Sequence, residues 1–357
     1  MRRVMLTPVR IADQMAESFE TAVEARAAGD LRIALAAIRR ALRSFTHSEG
    51  ANHPDTAHAR LELGRILVMR GQAKGLRELD AASRTLLANR RRDPDLVTLV
   101  THACLVTAAA WRAAGHYREA RQFAQAALRR APDPGWIAAA HNELGVIGKF
   151  AGHFDEAERH YDAARPLIRK LYGTESREMA TYWHNIGGLD HARGRWKTGE
   201  RAARRSVEIG RAVLPAGDLE LHAHEVAYAA LLDELGRHAE SLPIYRRALA
   251  AYRAADDRYE VASTLHSLAT AEHSAGMFAE ARTHYNAAIV LFRACVGGAH
   301  PDVGRALHNL ATLELAAGHA NHANQLYARA IKNLRASLGA THPTTRAAMD
   351  ARSRARR

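Results

Sequence analysis

The chain has 357 residues, 47% hydrophobic and 25% charged, and carries a formal net charge of +13. This composition excludes disorder along the whole chain, which requires few apolar residues. Two distant cysteines, Cys104 and Cys295, exclude a disulfide scaffold and point to a reducing cytoplasm. Aromatics are scarce at 6% and alanine is abundant, a mix that suits close helix packing better than strands.

The start is basic at Arg2-Arg3, but its apolar stretch is too short for a secretory segment and is stopped by Pro8 and Arg10. No run of about 18 apolar residues follows, so no membrane span is expected. Instead, glycines punctuate Ala/Leu-rich stretches at Gly29, Gly71, Gly115, Gly152, Gly194, Gly236, Gly276 and Gly318, in steps of 37 to 44 residues. Seven residues before each stands a small side chain or none: Ala22, Gly64, Ala108, Gly145, Gly187, Ala229, Ala269, Ala311. Five residues after stand Ala34, Leu76, Ala120, Ala157, Gly199, Ser241, Ala281 and Ala323, and a third small row runs from Ala41 to Ala330. The pattern predicts helical hairpins. The glycine ends one helix at positive φ, and the small residues let the two backbones approach closely. Each hairpin leaves an apolar face that only a stacked neighbour can cover.

Eight units are expected, at about 1–48, 49–92, 93–133, 134–175, 176–216, 217–256, 257–298 and 299–340, with a basic capping helix over 341–357. No linker separates them, so the array reads as one domain. The second unit is the poorest match, with Ala73, Gly75, Leu76 and Asp80 at its key places. The units close on recurring turns, His53-Pro54-Asp55, Asp93-Pro94-Asp95, His300-Pro301-Asp302 and His342-Pro343-Thr344, where proline fits a helix start.

Gly115-His116-Tyr117-Arg118-Glu119-Ala120, Gly152-His153-Phe154-Asp155-Glu156-Ala157 and the closing Pro132 resemble the tetratricopeptide repeat. Leu338-Gly339-Ala340-Thr341-His342-Pro343 is similar to the long repeats of kinesin light chain and their bacterial relatives. The resemblance implies an all-α, right-handed superhelical solenoid of stacked antiparallel helix pairs. It also implies that the first helix of each pair lines a concave groove. Counting each marked glycine as position 15, the groove candidates are Arg112, Asn142, Lys149, His184, Asn185, His191, His266, His273, His308 and Asn309. The asparagines offer a donor and an acceptor to a peptide backbone, and Arg112 and Lys149 offer charge to carboxylates. Histidines in the row would titrate near neutrality. The chaperone-type carboxylate clamp is missing, because no position 5 is Lys and no position 9 is Asn.

Enzyme signatures are absent. There is no phosphate-cradling Gly-x-x-x-x-Gly-Lys motif and no Gly-x-Ser-x-Gly elbow. Histidines seven apart on a helix are about 10 Å apart, too far to share one ion. His319 and His322 alone make a weak pair. No catalytic residue, cofactor or metal is therefore expected, and Cys104 reads as core. The positive charge is uneven. Residues 60–130 hold 14 Lys/Arg against 6 Asp/Glu, and the tail 346–357 holds 5 against 1. Arg90, Arg91, Arg92, Arg129 and Arg130 form a basic patch that favours acidic partners.

The reading favoured by the sequence is a non-enzymatic scaffold or adaptor that holds a peptide segment or partner helix in its groove. A regulator that changes compaction on binding a short signalling peptide is the second reading. A nucleic-acid-associated protein using the basic patch is the third, weakened by the lack of interleaved aromatics for base stacking.

Overall fold

The computed structural model describes residues 8–89 and 93–356. Among these residues the regular structure is seventeen helices and no strand. α1 (Pro8–Ala27) packs on α2 (Leu31–Ser48), α3 (Pro54–Met69) on α4 (Lys74–Ala88) and α5 (Pro94–Ala113) on α6 (Tyr117–Arg130). α7 (Pro134–Phe150) is followed by α8 (Phe154–Tyr172), and α9 (Arg177–Ala192) packs on α10 (Trp196–Val213). α11 (Leu219–Glu234) packs on α12 (His238–Ala254), α13 (Arg258–Ser274) on α14 (Phe278–Val296) and α15 (Pro301–Ala316) on α16 (Ala320–Leu338), with α17 (Pro343–Arg354) last. The architecture is an all-α solenoid of stacked helix pairs. Where the sequence reads as one undivided array, the chain forms two compact units, one up to Glu143 and one from Leu144, divided inside α7.

The hairpin turns follow from their glycines. All eight marked glycines have positive φ, between 68° and 84°. At Gly115 the N–H reaches Arg112 O at 2.9 Å and the next N–H reaches Trp111 O at 2.9 Å, which satisfies carbonyls the helix end would otherwise orphan. A second glycine set, Gly50, Gly173, Gly297 and Gly339, follows second helices at positive φ. After α12 the place is taken by Asp256 at φ 52°, the only non-glycine with positive φ among the described residues. Aspartate tolerates this region better than most residues, because its short side chain can hydrogen-bond locally.

Many first helices start on a capping side chain. Asp93 accepts from the N–H groups of Asp95 and Leu96 at 2.9 and 3.1 Å. His53, His300 and His342 each offer Nδ1 to the N–H two residues on, at 3.4, 3.3 and 3.2 Å, with proline at the first helical position. Each such cap requires an unprotonated Nδ1.

The small rows are buried as their spacing predicts: Ala22, Ala108, Ala229, Ala269 and Ala311 are fully inaccessible, as are Ala34, Ala120, Ala157, Ala281 and Ala323. The second repeat departs from the expected phase. Leu76 is only half-buried, and Gly75 takes the small place instead. A Cβ on Gly75 would stand 2.6 Å from Val68 N and 2.8 Å from Gly64 O, so α3 and α4 touch backbone to backbone there. A further row, missed in the sequence, lies nine residues after the glycines: Tyr161, Tyr245, Tyr285 and Tyr327, all essentially inaccessible.

One described helix, α5, is long and apolar enough to cross a membrane, with mean hydropathy 1.4, contrary to expectation. It packs against α3, α4 and α6. Within it Cys104 is fully buried, and burial pushes its thiol up to about 12 against the opposing pull of Arg130 and Arg129.

Candidate functional site

The helix pairs present two different faces. In the unit from Leu144, α9, α11, α13, α15 and α17 touch one another in succession, whereas its even-numbered helices do not, among the described residues. The odd-numbered helices therefore make the tight inner face and the even-numbered ones the splayed outer face.

The inner faces of the two units differ in chemistry. In the unit up to Glu143, position 5 reads Phe19, Leu61 and Leu105, and the polar positions are paired with each other. Glu62, almost fully buried, binds Arg26 and Arg65. Arg112, expected to meet a partner's carboxylate, is held bidentate by Glu143, with Nε to Oε1 at 2.7 Å and Nη2 to Oε2 at 3.4 Å. Both Arg–Glu pairs run from position 12 of one repeat to position 6 of the next. They fasten successive repeats together.

In the unit from Leu144 the inner face is polar and open. Lys149, His184, His191, His266, Ser267, His273 and His308 are all half-buried there, with the small Ala227 and Ala230 among them and Lys149 Nζ over Gly188. Nδ1 of His184 and Nδ1 of His308 have no hydrogen-bond partner. Both nitrogens are inaccessible to solvent, and an unmet buried polar atom costs about 1–3 kcal/mol. Lys149 Nζ lies 4.7 Å from the Phe150 ring centroid, and His191 Nε2 lies 3.4 Å from Glu234 Oε1.

The asparagines are tied more closely to the fold than their spacing implies. Asn185 is buried, and Asn142 is half-buried. The Asn309 side-chain amide donates to His266 Nε2 at 3.0 Å and approaches Thr270 Oγ1 at 3.4 Å. Tyr285 donates to the same Thr270 hydroxyl at 3.0 Å, and the hydroxyls of Tyr327 and Thr312 are also 3.0 Å apart. The buried tyrosine row thus reaches from the core to the inner face and fixes its side chains. Its signal in the sequence was the in-phase recurrence of tyrosine.

Burial holds His184, His266, His273 and His308 below the ordinary histidine value. Burial, aided by the nearby His224 and Lys149 charges, pushes His184 down to about 3. Burial, with Arg305 and His308 nearby, pushes His266 down to about 4. His308 and His273 are lowered by burial alone. These rings are neutral hydrogen-bonding groups at pH 7. His319 and His322, considered as a chelating pair, instead face the buried Glu314, with Nδ1 atoms 2.6 and 3.7 Å from Oε2. Among the described residues no three His, Cys, Asp or Glu converge as metal ligands.

This unit also closes on itself. His342 Nε2 lies 3.1 Å from Phe150 O, and Pro343 packs where a Cβ on Gly152 would stand. With Nδ1 accepting from Thr344, His342 is the neutral tautomer carrying its proton on Nε2. The turn before α17 therefore seats on the turn between α7 and α8. Of the basic patch, Arg90, Arg91 and Arg92 lie outside the described residues. Arg129 is exposed, and Arg130 donates to Leu87 O at 3.4 Å, tying α6 to the end of α4.

Stacked α-hairpins with an inner face of small and polar side chains define a helical-repeat binding protein. The chain belongs to the tetratricopeptide repeat family, whose pattern matches residues 136–212, 220–294 and 260–336. No curated protein matches the chain. Among solved structures, it is similar to a Rap protein complexed with competence and sporulation factor. That likeness has a TM-score of 0.60 at 13% identity and covers 85% of this chain and 88% of that one. It is also similar to the apo form of RapI, with a TM-score of 0.62 at 13% identity, covering 78% of this chain and 98% of that one. A putative kinesin light chain from Podosopora anserina with nearly identical TPR-like repeats gives 0.48 at 17% identity, over 58% of this chain and 97% of that one.

Proposed function

We propose that this protein is a non-catalytic adaptor that holds an extended peptide or a partner helix against the inner face of α9, α11, α13 and α15. The observation that carries this reading is the chemistry of that face. It is half-buried and lined by His184, His191, His266, Ser267, His273 and His308, with small residues between them and two ring nitrogens unpartnered. A peptide main chain supplies both donors and acceptors, which neutral imidazoles and hydroxyls match. Asn185 and Asn309 belong to the support of this face rather than to its contact surface, and Arg112 and Asn142 lie in the other unit.

A second reading, a regulator that senses a short peptide, draws support from the self-closing contact of His342 and Pro343. A ligand that fits the groove better in one closure state shifts that equilibrium by its differential affinity. The Rap protein complexed with competence and sporulation factor has the same type of fold.

One experiment addresses both readings. Twelve-residue peptides are selected from a random library on the full chain and measured again on a Ser267→Trp, Ala227→Trp variant. The expected result is binding at least about tenfold weaker, roughly 1.4 kcal/mol, with the melting temperature unchanged. Unaltered affinity refutes the groove. Small-angle scattering on the same complexes separates the readings. A changed radius of gyration marks a sensor, and an unchanged one marks an adaptor.

A further inference from the structure

A cavity of about 720 Å³ opens between α2, α3 and α4, in the unit up to Glu143. Its walls carry Arg39 and Arg43 from α2, Arg60 from α3 and Lys74 from α4, against a single carboxylate, Glu78. Glu78 is shared by Arg60 at 3.7 Å and Lys74 at 3.8 Å. Arg39 and Arg43, one helical turn apart and both exposed, have no carboxylate partner among the described residues. Elsewhere in this unit Arg26, Arg65, Arg84 and Arg112 are each paired with an acidic side chain, whereas the exposed Arg32, Arg40, Arg70 and Arg77 have no such partner among the described residues. Helix α2 holds Arg32, Arg39, Arg40 and Arg43 and no Asp or Glu at all. The floor of the cavity is apolar, formed by Leu42 and Leu63.

We propose that this cleft is a second binding site, separate from the inner face of the other unit, and that it takes an acidic polypeptide segment carrying an apolar side chain. Guanidinium groups pair bidentately with carboxylates, and two of them stand here unsatisfied on adjacent turns of one helix. The low ratio of acid to base makes the cleft attractive to a polyanion and repulsive to basic segments. Two features favour polypeptide over nucleic acid. Leu42 and Leu63 provide a place for an aliphatic or aromatic side chain, which a phosphate backbone does not supply. No Phe, Tyr or Trp lines the cleft, and His47 is the one ring there on which a base could stack. The site is new relative to the basic patch expected from sequence, sharing no residue with it.

The test uses the full chain at physiological ionic strength and a fluorescently labelled twelve-residue peptide of glutamates with two central leucines, followed by anisotropy. The variant is Arg39→Gln with Arg43→Gln. Both side chains are exposed and unpaired, so the melting curve should not move. The control is Arg246→Gln with Arg253→Gln on α12, which removes the same charge from exposed positions elsewhere. The expected result is a loss of at least about tenfold in the cleft variant and less than about twofold in the control. Equal losses in both variants overturn the proposal, because attraction would then come from the overall charge. It is also overturned if wild-type protein does not bind the peptide. A single-stranded twelve-nucleotide DNA that binds more tightly than the peptide and loses the same factor in the cleft variant would reassign the cleft to nucleic acid.

Discussion

Gly75→Ala is expected to destabilise the unit up to Glu143 by up to about 2 kcal/mol. Two opposing effects decide the sign. Replacing a helical glycine by alanine gains about 1 kcal/mol in propensity. The new methyl, however, would sit 2.6 Å from Val68 N and 2.8 Å from Gly64 O. Both are backbone atoms of α3, so no rotamer change relieves the clash, and the helices must move apart. Overpacking of a tight interface costs about 1–3 kcal/mol and more where backbone must shift. The steric term wins. Gly188→Ala provides the contrast: its nearest neighbour is the flexible tip of Lys149 at 3.0 Å, which can swing away. That variant should be neutral or slightly stabilised. Urea unfolding monitored by circular dichroism distinguishes them, and equal midpoints for the two variants would contradict the close approach assigned to α3 and α4.

Acid should weaken the unit from Leu144 well above the carboxylate range. His184 is pushed down to about 3 and His266 to about 4, while the unfolded chain takes up a proton near 6.5. A base whose folded-state pKa is depressed stabilises the fold fully only while it is neutral in both states. That stability is present above about pH 6.5 and is lost as the pH falls below it, because the unfolded chain then binds more protons. At pH 5 the loss is up to about 2 kcal/mol for each ring. Burial is the main reason that His266 resists ionisation, with Arg305 and His308 acting in the same direction. The His342 cap weakens in the same direction, because protonation of Nδ1 removes its acceptor for Thr344. The urea midpoint should drop between pH 7 and pH 5, and His184→Phe should remove roughly half of the drop due to the two rings. A flat profile over that interval would mean these histidines are hydrated in the native state.

The repeat was legible in the sequence because its requirements are local and strict. A turn that needs positive φ selects glycine, and a close helix contact selects alanine, so both recur at fixed spacing. Gly75 escaped this logic. The second repeat has two small residues near the contact, and only packing against Gly64 and Val68 shows which one is used. The division inside α7 was also hidden, because α7 shows no break in helical pattern. The inner face was legible as a set of positions but not as a set of roles. Arg112 and Asn309 look free in sequence because their partners, Glu143 and His266, lie in neighbouring repeats 31 and 43 residues away. The same distance hides the seat of His342, whose acceptor Phe150 O is 192 residues away in sequence. The cleft at Arg39 and Arg43 was missed because residues 1–59 hold 8 Lys/Arg against 7 Asp/Glu, which masks the four arginines of α2 until the helices are stacked and the pairs are assigned.

The most direct test of inner-face recognition is photo-crosslinking in native extract with benzoylphenylalanine placed at one of two sites. Ser267 is on the inner face, and Val290 is 65% exposed on α14, on the outer face. The groove reading predicts a discrete adduct from position 267 that is competed by a library-selected peptide, and none from position 290. An adduct from position 290 with nothing captured at 267 would contradict it and move recognition to the outer helices.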